Sequence, residues 1–292
     1  MNVRPATRAD LQTLAEVFGS VEEAVNGRPS RLYAAAVEGW LQTIVFETGT
    51  WLFEEDGEAV AAAFAQAFGA RGSCAGAVRP SAWGRGLGAR LVDLMESSLA
   101  EREVRRIHSW TVAGDAAAAS LFRGRGYREV RRFWEMGVEL DGEIPEPAVT
   151  VEPFAEEEAE SFHAALEEAF AEHWNNEPES FDEWWTRQQG RANFDPSLWF
   201  VIRDGGEIAG VARCELRPPE GWVGSLGVRR AWRGRGYGRA LLLHSFREFR
   251  RRGMTRAGLG VDAANATGAT FLYESVGMRA MEENVVWEKE LG

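Results

Sequence analysis

In the second half of the chain the apolar residues change their spacing in a regular succession. Phe162, Leu166, Ala169 and Phe170 share one face if residues 155–171 are helical. Residues 181–189 predict a second, shorter helix. Apolar runs at 198–203 and 207–216 flank Asp204-Gly205-Gly206, a turn sequence that predicts a hairpin. A further strand is predicted at 222–228. A Gly/Arg loop then leads into a helix from Gly238 to about Arg252. A strand at 256–261, a helix at 266–275 and a strand at 279–289 end the chain. With a short strand at 149–152 the order is β-α-α-β-β-β-α-β-α-β, which predicts a mixed sheet with helices on both faces.

The first half repeats this order. VRPSAWGRGLGARL (78–91) aligns with VRRAWRGRGYGRAL (228–241) at an offset of 150 residues. TWLFEEDGEAVA (50–61) resembles LWFVIRDGGEIAG (198–210), and SLFRGRGY (120–127) resembles TFLYESVGM (270–278). Such a period is far too long for a solenoid and predicts a duplicated domain. DGEIPEPA (141–148) is acidic, rich in Pro and without apolar period, so it reads as a linker between domains at 1–140 and 149–292.

Composition narrows the function. The chain has 292 residues, 45% hydrophobic and 27% charged, enough apolar material for two cores. A net charge of −12 argues against a general nucleic-acid coat. Two cysteines, Cys74 and Cys214, exclude a disulfide scaffold and point to a reducing compartment. Residues 1–10 lack the apolar core of a signal peptide, and the longest apolar run, 59–68, is broken by Gln66. The expectation is a cytoplasmic protein with no membrane or nucleic-acid partner. His108, His163, His173 and His244 are scattered without metal-ligand spacing, so no metal is expected.

The candidate chemistry lies in RGRGYGR (233–239), between a predicted strand and a predicted helix. Glycines let a backbone approach a ligand closely, and the free N–H groups at a helix start suit phosphate. Arg233, Arg235 and Arg239 offer charge-assisted hydrogen bonds. The glycines fall as GxGxG, so this is neither the dinucleotide fingerprint nor a Walker loop. By itself such a loop is most simply a flexible turn. Its strand-loop-helix setting and its recurrence at Gly84–Gly88 favour a ligand.

The loop resembles the [QR]xxGx[GA] motif of the GNAT superfamily of acetyl-coenzyme A-dependent acyltransferases. GWVGSLGV (221–228) is similar to the strand before that motif, and LGVDAANATGATFLYESVGM (259–278) to the family's late strand-helix signature. The resemblance covers both halves. It implies an α/β fold of two tandem GNAT-like domains, each a mixed, mostly antiparallel sheet flanked by helices, and acetyl-CoA as cosubstrate. It further implies that Leu226, Gly227 and Val228 meet the pantetheine arm. Arg233, Gly234, Arg235, Gly236, Tyr237, Gly238 and Arg239 would hold the pyrophosphate, with Asn265 a further cofactor contact. Tyr273 takes the position of the general acid that protonates the departing thiolate. The alternative for Tyr273 is a core aromatic beside Phe271 and Leu272.

The first half departs from that pattern. Trp83 replaces the leading Arg/Gln, Phe122 stands in place of Tyr273, and no counterpart of Asn265 is evident near Gly114. It reads as a degenerate copy, with two active sites as the alternative. Tandem members of the family with an active C-terminal half include one that acetylates a thiol-bearing pseudo-disaccharide. That type has a Glu on the strand before the loop, and GWVGSLGV has none. Glu215, one strand earlier, is the nearest candidate base, against the reading of a solvated strand-end charge. Glu172, His173, Trp174, Glu177, Glu179, Asp182 and Glu183 form an acidic stretch that would suit a cationic amine, or else a solvated helix face. The expected function is N-acetylation of a small amine by a monomer or homodimer. A noncatalytic acyl-CoA-binding regulator and the pseudo-disaccharide acetyltransferase are the alternatives.

Overall fold

The computed structural model describes residues 1–30, 32, 34–41, 46–176, 178–191, 193–265 and 268–291. By contacts the chain divides into two units, Met1–Phe133 with Glu283–Gly292, and Trp134–Glu282. The sequence expectation differs in two ways. It placed the break at 141–148, whereas the contacts break at 133/134. It also left the last strand in the second half, whereas the residues of that strand from Glu283 on belong to the first unit.

The first unit runs β1 (Asn2–Pro5), α1 (Leu11–Asn26), α2 (Ala34–Trp40), α3 (Phe46–Gly49), β2 (Thr50–Glu55), β3 (Glu58–Phe68), β4 (Arg71–Val78), α4 (Leu87–Ala100), β5 (Arg106–Val112), α5 (Ala116–Gly124) and the start of β6 (Arg128–Glu139). The second continues from β6 through β7 (Glu152–Pro153), α6 (Ala159–Phe170), α7 (Phe181–Gln189), β8 (Trp199–Asp204), β9 (Glu207–Arg217), β10 (Glu220–Val228), α8 (Tyr237–Arg251), β11 (Arg256–Asp262), α9 (Ala269–Ser275) and into β12 (Arg279–Glu290). The element order agrees with the periodicity. Residues 266 and 267 of the expected helix lie outside the described residues.

In the first unit the strand order is β1-β2-β3-β4-β5-β12. All neighbours are antiparallel except the β4/β5 pair. Alternation along β3 serves two cores: Ala61, Ala63 and Ala65 face the α4 side with Leu91 and Met95, while Ala62 faces α1 with Leu14 and Val17. The second unit has the order β6-β11-β10-β9-β8-β7, with β10/β11 parallel. Its largest aromatic cluster joins Phe154, Phe162, Trp184 and Trp199, with ring centroids 5.1–6.3 Å apart. Each such side chain contributes about 1.5–3 kcal/mol through burial. Trp184 and Trp199 are therefore core, and Trp185 is the half-buried rim of the same cluster. No helix among the described residues is long and apolar enough to cross a membrane.

The final strand is fastened to the first unit by side chains as well as by its ladder from Asn284↔Val112 to Glu290↔Arg106. Trp287 is fully buried, stacks on Phe122 at 5.8 Å and donates its indole N–H to Thr111 Oγ1 at 2.8 Å. Glu288 meets His108 at 3.0 Å and Arg128 at 2.5 Å. Lys289, the single lysine of the chain, pairs with Glu96 at 2.8 Å. Trp287→Ala should therefore cost about 3–5 kcal/mol by opening a cavity. Hydrogen exchange should accelerate in β5 and α5 first. Equal acceleration in α8, or a loss below about 1 kcal/mol, would contradict the assignment of this strand to the first unit.

Candidate active site

The second unit parts at its centre. β10 and β11 pair only from Glu220↔Arg256 to Trp222↔Gly258, yet β10 continues to Val228 and β11 to Asp262. On its other edge β10 stays paired with β9 as far as Val228↔Gly210. The register there shifts between Val223 and Ser225, a bulge that leaves Gly224 exposed in mid-strand. Gly260 of β11 is exposed as well. Leu226, Gly227 and Val228 thus lie on a stretch of β10 whose β11-facing backbone has no ladder partner in β11.

The Gly/Arg loop follows directly. Gly234 and Gly236 have φ of +77° and +81°, conformations that L side chains seldom adopt. Gly236 is the N-cap of α8, and no side chain caps that end. Tyr237 and Gly238 form its first turn, so the N–H groups from Gly234 to Gly238 and the helix dipole are available to an anion. The arginines are engaged elsewhere. Arg233 donates to the carbonyls of Val228 at 3.2 Å and Ala169 at 3.3 Å. Arg235 pairs with Asp204 at 2.8 Å, and Arg239 donates to the Ser275 carbonyl at 2.7 Å. The Tyr237 hydroxyl also donates to Asp204, at 2.9 Å. In this arrangement the backbone presents the donors, and the guanidiniums hold the loop in shape.

Tyr273 sits on α9, nearly buried, and its hydroxyl makes no hydrogen bond among the described residues. Burial alone pushes its pKa up to about 12. Asn265 lies in the turn after β11, where its N–H donates to the Asp262 carbonyl at 3.0 Å. His173, expected on the surface, is half-buried against Phe170 at 4.4 Å. Its pKa is lowered by burial, with Asp262 opposing and Arg233 assisting. Nothing in the sequence signalled that placement, because a histidine at a helix end carries no burial pattern. Cys214 is a buried strand residue beside Ser245 at 3.4 Å, its thiol pushed up to about 12 by burial.

Glu215 is neither a free base nor a solvated charge. It is buried on β9 and bound by Arg191 at 2.6 Å and Arg217 at 2.5 Å, with Arg213 at 3.7 Å. Burial raises its pKa, but Arg217, Arg191 and Arg213 outweigh that, and the net shift is downward. A carboxylate so held is a poor proton acceptor. The alternation in RCELR (213–217), which puts 213, 215 and 217 on one strand face, was the available signal for this cluster. β10 begins one residue earlier than the aligned segment and so does include an acid, Glu220, at its first position.

The acidic stretch is also largely spent. Glu172 pairs with Arg230 at 3.2 Å, Glu179 with Arg187 at 2.5 Å, and Glu183 accepts from Ser180 at 2.6 Å in a capping box. Asp182 is exposed, and Glu177 lies outside the described residues.

The first unit holds a counterpart with differences. β4 and β5 pair from Arg71↔Arg106 to Cys74↔Ser109 and then part, but β4 stays in unbroken register with β3, without a bulge. Gly84 and Gly86 repeat the loop, with φ of +75° and +76°. Trp83 donates to the Val78 carbonyl at 2.7 Å, as Arg233 does to that of Val228. The exchange that marked this loop as degenerate thus leaves its shape intact. A cavity of about 230 Å³, mostly apolar, opens between Val78, Trp83, Gly86, Leu91 and Phe122. Phe122 offers it no hydroxyl.

This geometry has clear relatives. The chain is 32% identical over 231 residues to a mycothiol acetyltransferase of Thermobispora bispora, covering 73% of this chain and 74% of that protein. The crystal structure of a GCN5-related N-acetyltransferase from Sphaerobacter thermophilus superposes with a TM-score of 0.85 at 31% identity, over 99% of this chain and 95% of that one. A tandem GNAT protein from the clavulanic acid biosynthesis pathway shares the fold at a TM-score of 0.71 and 16% identity, over 100% and 98%. The sequence model of the Acetyltransferase (GNAT) family matches twice, at residues 19–127 and 159–278. Two matches to one family, one on each side of the duplication, show that the chain belongs to the GNAT acetyltransferases and carries their domain in tandem.

Proposed function

We propose that the second unit transfers the acetyl group of acetyl-CoA to the amine of a small-molecule acceptor. The observation that carries this reading is the Tyr273 hydroxyl, which is nearly buried, engaged by no protein group and kept protonated by its surroundings. The thioester, when bound, supplies the acetyl group. The chain's residues supply position and a proton. Backbone N–H groups from Gly234 to Gly238 hold the pyrophosphate, shaped by Arg233, Arg235, Tyr237 and Arg239. The unpaired edge at Leu226, Gly227 and Val228 takes the pantetheine arm, with Asn265 beside it. A backbone N–H at the bulge can meet the developing oxyanion; Tyr273 protonates the departing sulfur, and the proton that the acylated nitrogen loses to solvent restores the phenol. The first unit keeps the loop and a cavity but lacks both the bulge and the hydroxyl, which supports a binding or structural role. A second reading, that the acceptor is the cysteinyl sugar of mycothiol synthesis, draws on the relatives named mycothiol acetyltransferase.

Tyr273→Phe removes only the hydroxyl. It should lower kcat and kcat/KM together by about 10²- to 10⁴-fold in an acetyl-CoA thiol-release assay, with melting temperature and coenzyme A affinity nearly unchanged. Near wild-type kcat with chemistry rate-limiting would remove Tyr273 from the mechanism, and a protein without turnover on any amine would be the noncatalytic regulator. Because its pKa is raised to about 12, Tyr273 keeps its proton throughout the neutral range. The alkaline fall in kcat/KM should therefore begin above the ordinary phenol value of about 10, and a fall at lower pH that vanishes in Tyr273→Phe would contradict this.

Gly236→Val forces a branched side chain into a positive-φ position at the loop. Calorimetry should show coenzyme A affinity reduced by at least about tenfold, as expected when the backbone donors are displaced. Unchanged affinity in the folded variant would refute the loop assignment.

A further inference from the structure

Around Glu215, on one face of the second unit's sheet, the described residues place more guanidinium than carboxylate. Arg191, just after α7, and Arg217 take up both carboxylate oxygens of Glu215, at 2.6 Å and 2.5 Å. Arg217 also lies over the Trp222 ring, 4.3 Å from its centroid. Arg213 is left with long contacts only, 3.7 Å to Glu215 and 3.4 Å to the Ser225 hydroxyl. Three guanidiniums face one carboxylate, a local charge of +2, and their side chains are only 12–16% exposed. Among the described residues this face also carries Glu220, which begins β10 opposite Arg217 and Arg256, so that Glu220 and Arg256 add one charge of each sign, and Asp262 at the far end of β11, whose charge acts on His173. Arg187 is already paired with Glu179.

Like charges held this close and this dry are costly unless an anion completes them. Burial and the neighbouring Arg191 lower the Arg213 pKa to about 10, against the pull of Glu215. Arg213 sits opposite Ser225 in the ladder, and its guanidinium covers Gly224 so closely that a β-carbon there would stand 2.6 Å from it. Gly224 is the exposed bulge residue at the parting of β10 and β11. The phosphate-holding loop begins only after Val228, about 10 Å further along the strand. The arginines on this face are therefore beside the reacting end of the site, not its phosphate end.

We propose that Arg213, backed by Arg191 and Arg217, receives a carboxylate on the acceptor, so that the substrate is an amine that itself carries a carboxylate. The planar fork of a guanidinium, with the Ser225 hydroxyl beside it, matches a carboxylate. The inference rests on the acetyl-transfer reading, and it reverses the cationic acceptor expected from the acidic stretch, of which Glu172 and Glu179 are already paired with arginines.

The test has two arms. In the first, thiol release from acetyl-CoA is measured with amino acids and dipeptides, each against its own carboxamide. The wild type should prefer the acid in kcat/KM by about tenfold to a hundredfold, the range of a charge-assisted hydrogen bond. In Arg213→Met that ratio should fall towards one, and Arg213→Lys should restore part of it. Equal use of acid and amide by the wild type, or an unchanged ratio in Arg213→Met, overturns the proposal. In the second arm, melting temperature is followed with succinate against succinamide at matched ionic strength. Succinate should stabilise the wild type and not Arg213→Met. Without ligand, Arg213→Met should melt no lower than the wild type, because removing it relieves repulsion. A structural ion-pair partner would instead lower the melting temperature when removed, and that result, or the absence of a succinate effect in the wild type, overturns the anion site. Succinate stabilisation without turnover of any amine would leave the anion site standing and remove the acetyl-transfer reading.

Discussion

The parallel ladder between β10 and β11 stops after Trp222 and Gly258, although both strands continue, and the open backbone edge of the second unit depends on that stop. A sheet that stayed closed would use the backbone groups of β10 on both edges and leave nothing for a ligand. The bulge at Gly224 changes the local twist while β9 continues to hold the other edge, so the strand stays fixed where its backbone is open. The loop that follows needs two glycines at positive φ to turn into α8, and the same turn leaves the helix N-terminus uncapped. An unpaired strand edge that runs into an uncapped helix start is a continuous path of backbone donors and acceptors. It suits a ligand with an amide-bearing arm and a diphosphate.

The two units show which parts of this device are separable. Both keep the early parting of the central strands and both keep the glycine loop. Trp83 and Arg233 reach equivalent carbonyls with different chemistry, so the first motif position is a brace, and more than one side chain can fill it. The bulge and the phenolic hydroxyl are confined to the second unit. Phe122 meanwhile has become part of the packing of the first unit, stacked on Trp287 from the far end of the chain. The residue aligned there with Tyr273 serves the core.

Charge is distributed by a similar economy. Arginine supplies nearly all positive charge, and most of it is consumed within the protein: at the loop by Asp204 and backbone carbonyls, at the acidic stretch by Glu172 and Glu179. A run of like charges in the sequence therefore said little about the field at the site. On the Glu215 face Arg213 has only distant partners, at 3.7 Å and 3.4 Å, which satisfy a buried guanidinium poorly.

The sequence by itself determined the duplication, the order of elements in each half, the glycine loop and its setting, and the residues Tyr273 and Phe122 that separate the halves. These are local: apolar spacing, turn residues and a motif act over a few positions, and each leaves its mark in consecutive letters. Only the tertiary structure decided that the last strand completes the first unit, that Glu215 is held by arginines from two elements, that Glu172 and Glu179 are already neutralised, and that Arg213 stands over the bulge. The last strand, Arg191 on Glu215 and Arg230 on Glu172 meet partners far apart along the chain. Pairing over such distances is set by which surfaces meet, and the balance of burial against charge that results has no local signature.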